Sequence, residues 1–288
     1  MVSIVSGTEV TIETVNGHAH ELPTDPRFVV LDDHRAIVRD LPRWPGGHLL
    51  TGPVSVEDAQ PGDVLQVDIL EVRLRQNWGY TVIEPLAGTL PSEFADYRLY
   101  HLPIDRFGNT TDLPWGGRLS LAPFFGILGV APPISWGRIT SVIPRAHGGN
   151  IDCKELVAGT TIYLPIHVPG ARFSVGDGHA AQGDGEVCVT AIETALTGRF
   201  RLTTRRDMSL TQPRAETPQH LVTFGFDEDL DQAVKHALRD MLSWLGDHHG
   251  LGRADAYALC SLAADFRVTQ TVNVAKGIHC MLPKAVLP

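Results

Sequence analysis

Residues 51–74 read TGPVSVEDAQPGDVLQVDILEVRL, and this stretch decides the fold class. It predicts a short strand, a turn at Pro61-Gly62-Asp63, and a longer alternating strand from Val64 to Leu74. Upstream, EVTIETV (residues 9–15) alternates β-branched and polar residues, as a half-buried strand does, and Asn16-Gly17 closes it as a turn. Twenty prolines and 28 glycines in 288 residues suit short strands with tight turns.

Downstream the regularity falls. Residues 76–140 carry Trp78, Trp115 and Trp136, with Trp44 just before them. The Pro-rich run APFFGILGVAPPISWG (122–137) reads as loops over a cavity, and the aromatics read first as core packing. The pattern turns helical at DEDLDQAVKHALRDMLSWLGDHHG (227–250). There Leu230, Ala233, Val234, Ala237, Leu238, Met241, Leu242 and Leu245 share one helical face. Acidic residues stand at its start, and Gly246 or Gly250 can end it. A second helix is predicted from ADAYALCSLAADF (254–266), and RVTQTVNVAKGIHCMLP (267–283) returns to strand. The expected fold is therefore mainly β with a smaller α+β part: a β-sandwich-like core and a C-terminal helix pair. The expected division is 1–215, β-rich and carrying the active-site segment, and 216–288, an α+β part packed on it.

Composition narrows the function. The net charge is −9, and no Lys/Arg cluster offers a phosphate track, so nucleic acid is not an expected partner. The hydrophobic fraction of 43% and charged fraction of 20% are those of a globular protein. No apolar run reaches membrane-spanning length, and the start lacks the pattern of a signal peptide. Four cysteines lie far apart without a CxxC pair, which argues against a thiolate zinc site and fits reduced thiols in the cytoplasm.

The chemistry concentrates between Pro144 and Glu193, in PRAHGGNIDCKEL and TTIYLPIHVPGARFSVGDGHAAQGDGEVCVTAIE. Glycines separate the polar groups, as they do where backbone bends tightly around something small. In VGDGH, Asp177 and His179 are two apart, so on extended backbone they face one way. That pair could ligate a divalent ion, form an Asp–His couple that orients a base, or be a turn beside a surface histidine. Asp184 and Glu186 repeat the spacing. Glu186 is a candidate general base if burial raises its proton affinity; an exposed Glu186 after a Gly-Asp turn is the plainer reading. The expected strand VCVTAIE carries Glu193 in an apolar run, where a buried carboxylate must be paired or metal-bound. In HGGNIDCK, Asn150 could polarise a carbonyl, with His147 beside it. Asp152 is a candidate ligand, Lys154 could offset negative charge, and a plain Asx turn is the alternative. A GxSxG elbow is absent. Cys153, next to Lys154, is a lesser nucleophile candidate, and Cys188 between valines reads as packing. The candidate set is thus Glu186, Asn150, Gln182 and His147 for catalysis, and Asp152, Asp177, His179 and Glu193 for a divalent metal, with zinc expected.

TGPVSVEDAQPGDVLQVDILEV, HGGNIDCKEL, LPIHVPGARFSVGDGHAAQGDGEVCVTAIE and DFRVTQTVN…LP together resemble the acetamidase/formamidase family, over roughly residues 50–285. The resemblance implies a β-rich fold with a sandwich-like part, hydrolysis of a small amide to ammonia and a carboxylate, and a homodimer or larger homo-oligomer. It points to Asp152, Asp177, His179, Gln182, Glu186 and Glu193 as the polar set. A related branch opens γ-lactams and is described as zinc-containing. A cyclic amide is therefore an alternative substrate, and a non-enzymatic β-rich protein holding a small ligand or a metal is the rival class. The chain departs from the family pattern at its start, with Ser6-Gly7-Thr8 where the family has a His/Trp segment and a Pro-Gly-Asp turn. Asp33, His34 or Asp40 are the expected substitutes for any ligand supplied there.

Overall fold

The predicted long strand forms with the predicted ends. Strands are numbered along the chain, and β4 (Val64–Leu74) is the eleven-residue spine of an eight-stranded sheet. The computed structural model describes residues 2–41 and 47–288; Trp44 lies outside the described residues. Across that sheet the order is β16 (Asp265–Gln270), β17 (Lys276–Pro283), β15 (His220–Asp227), β14 (Arg214–Glu216), β11 (Thr160–Pro165), β4, β13 (Leu196–Arg205) and β2 (Thr8–Glu13). Every neighbouring pair in it is antiparallel. A second sheet of five strands has the order β1 (Val2–Ile4), β3 (Leu50–Val56), β12 (Phe173–His179), β9 (Phe124–Gly129) and β10 (Gly148–Asn150), with only β1 and β3 parallel.

The two sheets face each other across one hydrophobic core. Phe125 of β9 and Phe173 of β12 meet Phe200 of β13 with ring centroids 5.5 and 5.7 Å apart. All three are fully buried, each burial worth about 1.5–3 kcal/mol. Two hairpins complete the β part: β5 (Trp78–Ile83) with β6 (Arg98–Pro103), and β7 (Thr110–Asp112) with β8 (Arg118–Ser120).

Two sequence expectations are corrected here. The run 122–137 is not all loop, because Phe124–Gly129 is the fully buried strand β9 between β12 and β10. Buried on both faces, such a strand shows no alternation to betray it. Conversely, VCVTAIE forms no strand. Val187 is exposed, and Glu193 is fixed by isolated bridges to Tyr80 and His179.

The helices follow their periodicity. A short α1 (Asp32–Asp40) precedes β3, and α2 (Leu230–His249) and α3 (Arg253–Ala263) form the C-terminal pair. Asp229 caps α2 by accepting from the Asp231 and Gln232 N–H groups, and Gly250, with φ 67°, ends it. Ala233, Ala237, Met241 and Leu245 bury against Leu221, Ile278, Cys280 and Leu282 of β15 and β17, making a second core. Gly225 permits this: a Cβ there would lie 1.9 Å from the Ala233 carbonyl oxygen. Among the described residues no helix is long and apolar enough to cross a membrane.

Candidate active site

The site lies at the end of the five-stranded sheet. β12 carries Asp177 and His179, and β9 places Gly126 opposite Asp177. The Ile151 and Asp152 N–H groups both bond to the Gly126 carbonyl, which brings Asp152 alongside. Glu186 arrives on a turn and Glu193 on the loop bridged to Tyr80. Gly126 is the floor: a Cβ there would fall 2.4 Å from Asp152 Oδ1, 2.7 Å from Asp177 Oδ2 and 2.9 Å from His179 Cε1.

Four carboxylates therefore surround one imidazole. His179 Nε2 is 3.3 Å from Glu193 Oε2, 3.4 Å from Asp177 Oδ2 and 3.9 Å from Glu186 Oε1. Asp152, His179 and Glu186 form one group whose ligand atoms lie within 4.8 Å of one another, and Asp177, His179 and Glu193 form another. All five side chains are buried. Asp152, Asp177 and Glu186 sit at φ 53°, 56° and 42°, left-handed backbone that non-glycine residues rarely adopt and that recurs at functional sites.

Gln182 orients the imidazole. Its amide nitrogen donates to the carbonyls of Asp152 (2.8 Å) and Thr269 (3.3 Å), so its oxygen must accept. That oxygen is 2.9 Å from His179 Nδ1, which therefore carries a proton and turns Nε2 toward the carboxylates.

Burial sets the electrostatics. Burial, then the charge of Asp177, raises the Asp152 carboxyl to about 8. Burial raises Glu193 to about 7 against the pull of His179. Burial, reinforced by Asp152, lifts Glu186 well above the usual carboxylate range. Burial would raise Asp177 too, but His48 and His179 outweigh it and hold that carboxyl low. Burial disfavours imidazolium at His179, yet Glu193 and Asp177 prevail and raise it well above 6.5. Four adjacent carboxylates cannot all ionise without a compensating cation.

The residues fit such a cation. Asp152 Oδ1 and Glu186 Oε2 are buried with no hydrogen-bond partner, an arrangement a protein rarely leaves uncompensated. An imidazole nitrogen with carboxylate oxygens is a donor set for zinc and related divalent ions. The cluster forms the floor of a cavity of about 600 Å³ whose lining includes Asn16, His48, Tyr80, Asn150 and Asn273.

Of the residues singled out in the sequence, Asp152, Asp177, His179, Glu186 and Glu193 converge, and Gln182 stands directly behind them. Asn150 reaches the cavity wall, where its amide donates to the Val142 carbonyl at 3.2 Å and its oxygen has no partner. The structure does not bring His147 to this group. It lines a separate, mostly apolar cavity against Trp136, and burial lowers it to about 4. Asp184 pairs with Lys154 at 3.1 Å near the surface, apart from Glu186. Cys153 is fully buried, and burial pushes its thiol up, away from nucleophilic reach. The expected substitutes from the opening segment are elsewhere. Asp33 pairs with Arg75, Asp40 with Arg39, and His34 is held by the Gly17 carbonyl and stacked on Trp78.

Three contributors escaped the sequence reading. Asn16 donates to Asp177 Oδ1 at 3.1 Å and Glu193 Oε2 at 2.5 Å, whereas its sequence signal was only the Asn-Gly turn. Asn273 donates to Asp152 Oδ2 at 2.5 Å and is itself pinned by Gln270. His48 Nε2 lies 3.9 Å from Asp177 Oδ2. Neither of the last two carries a local motif.

Comparison with known proteins gives the family. The model of the "Acetamidase/Formamidase family" matches residues 1–137 and 136–287. Formamidase of Methylophilus methylotrophus is 30% identical over 200 residues, covering 51% of this chain and 49% of that protein. Acetamidase of Mycolicibacterium smegmatis is 31% identical over 208 residues, covering 52% and 51%. The matched stretch thus spans about half the length of these curated relatives. The crystal structure of acetamidase from Bacillus halodurans superposes with a TM-score of 0.85 at 31% identity, covering 98% of this chain and 91% of that one. With the family model matching nearly end to end, this chain belongs to the acetamidase/formamidase family.

Proposed function

We propose that this protein is an amidohydrolase that cleaves the C–N bond of a small linear amide to ammonia and a carboxylate. The observation that carries the reading is the convergence of four buried carboxylates on one imidazole at a cavity floor, with two carboxylate oxygens left unpartnered. The family relatives named formamidase and acetamidase support it.

In this reading His179 Nε2 with Asp177, Glu193 and Asp152 would hold a divalent cation, zinc or a related ion by donor type. When bound, the cation polarises the amide carbonyl and lowers the proton affinity of water. The remaining work belongs to the chain. Gln182 fixes the His179 ring, and Asn16 and Asn273 hold three of the carboxylates in place. Glu186 takes a proton from the attacking water and returns it to the leaving nitrogen, its raised proton affinity suiting both halves of that transfer. Asn150 spends one N–H on Val142 and has a second for the carbonyl oxygen as negative charge develops there, an interaction worth about 3 kcal/mol.

Ammonia release from small amides, measured before and after chelation and after adding zinc back, tests the reading. Activity that survives complete metal removal would overturn metal assistance. Glu186→Gln is expected to lower turnover by about 10²–10⁴-fold with metal content retained. A homo-oligomeric, cytoplasmic protein is part of the same proposal; exposed Leu86, Leu90, Phe94, Phe107 and Trp115 support self-association, which sedimentation would measure. The division near residue 215 is likewise proposed, supported by the separate core under α2 and α3, and limited proteolysis would test it.

A further inference from the structure

Tyr80 lines the cavity over the carboxylate cluster, and the chemistry described so far leaves it unused. It is 4% exposed, yet its hydroxyl makes no hydrogen bond to a described residue. A buried tyrosine hydroxyl ordinarily finds a partner. Here the side left for one is the cavity.

The ring is held from three directions. On β5 the Tyr80 N–H donates to the Glu193 carbonyl at 2.9 Å, and its own carbonyl accepts from the Glu193 N–H at 2.8 Å. Trp78 packs beside it, with ring centroids 6.4 Å apart. Gly17 lies against the phenol end: a Cβ on Gly17 would fall 3.0 Å from Tyr80 Cε1 and 3.4 Å from the hydroxyl oxygen. Gly17 is itself tied down. Its carbonyl accepts from His34 Nε2 at 2.7 Å, and the buried His34 ring stacks on Trp78. His34, which stands apart from the cluster, thus pins the backbone that supports Tyr80.

This places the hydroxyl on the Asp177–Glu193 side of the cluster, because Asn16, the residue before Gly17, donates to both of those carboxylates. Burial, and then the charges of Glu21, Glu193 and Asp177, raise the phenol well above 10, so the proton stays on the oxygen. The group is a neutral donor set among acceptors. Neighbouring amides are already committed: Asn16 to Asp177, Glu193 and the Gly178 carbonyl, and Gln182 to the carbonyls of Asp152 and Thr269. Ionised carboxylates can take the N–H groups of an amide but cannot donate to its oxygen.

We infer that Tyr80 is a catalytic residue of this site: its O–H donates to the oxygen of the substrate amide, together with the Asn150 N–H. The bond strengthens as negative charge develops on that oxygen, and no proton is transferred, so the hydroxyl acts as a fixed dipole. This rests on the amidase reading above and adds a substrate-contacting residue to it.

Tyr80→Phe keeps the ring and removes the oxygen. Acetamide and thioacetamide are the two probes, because sulfur is a weak hydrogen-bond acceptor. On the metal-loaded protein the substitution should lower kcat for acetamide by about 10²-fold, the effect of losing one oxyanion donor. KM should stay nearly unchanged, as for an interaction made chiefly in the transition state. The loss for thioacetamide should be several-fold smaller. That comparison is made within one preparation, so it holds even where part of the variant is unfolded; melting point and metal content report folding separately. A loss equal for the two substrates, or no loss of acetamide turnover, overturns the inference and leaves the amidase reading standing. A wild-type protein that releases ammonia from no small amide overturns the amidase reading and the inference with it.

Discussion

At the scale of single residues, the site depends on an absent side chain as much as on those present. Among the described glycines, Gly126 is the one where a methyl group would enter the cluster, within 2.4–2.9 Å of Asp152, Asp177 and His179. Gly126→Ala should therefore displace the carboxylates by a fraction of an ångström to an ångström. Misplacement of that size is expected to lower turnover by about 10²-fold and to lower metal content, read by elemental analysis. Normal activity and metal content in that variant would show that the floor tolerates a methyl group. The two buried asparagines act in the opposite sense. Each donates an N–H to carboxylate oxygens that would otherwise add to the unsatisfied charge.

At the scale of elements, each part of the site is held by a strand pairing or a pinned turn. β12 lies between β3 and β9; its pairing with β3 ends at Gly176, and beyond it β9 and the bridge from His179 to Glu193 hold the segment that carries Asp177 and His179. The loop after β16 is tied by Gln270, whose oxygen accepts from the Val272 and Asn273 N–H groups, and this presents Asn273 to Asp152. The C-terminal helix pair is a separate packing problem solved at Gly225, where α2 crosses β15 in backbone contact. Gly225→Ala is expected to lift α2 and destabilise the protein by about 1–3 kcal/mol, as overpacking does, read as a lowered midpoint in urea. An unchanged midpoint would mean that α2 shifts freely on the sheet.

At the scale of the whole molecule, the buried cluster links stability to pH and to cations. Asp152 at about 8, Glu193 at about 7 and a raised His179 all bind protons more tightly folded than unfolded. Their contribution is lost as pH rises toward those values. Buried His147 and His279, both lowered to about 4, act oppositely, but only up to the unfolded histidine value near 6.5. Above that, the cluster alone sets the slope. The chelated protein should therefore lose stability from pH 6.5 to 8, each retained proton contributing about 1.4 kcal/mol per pH unit. Added zinc should flatten or reverse the trend, because ionised carboxylates then gain a partner. Thermal melts across that range, with and without metal, decide it; a pH-independent melting point in the chelated protein would contradict the coupling.

Much of this was legible in the chain, for a physical reason. Local periodicity and turn chemistry are set by near neighbours, so Val64–Leu74 could be read with its ends, and the α2 face could be read with its stop left between Gly246 and Gly250. Glycine-flanked Asp177, His179 and Glu186 could likewise be marked as chemistry rather than packing. β9 escaped because a strand buried on both faces has no alternation to show, and VCVTAIE misled because apolar content alone does not make a strand. Only the tertiary structure chose which polar groups meet. It drew Asn16 to Asp177 across 161 positions and Asn273 to Asp152 across 121, and it left nearby His147 in another cavity. Those choices belong to long-range strand pairing, and no local stretch of sequence encodes them.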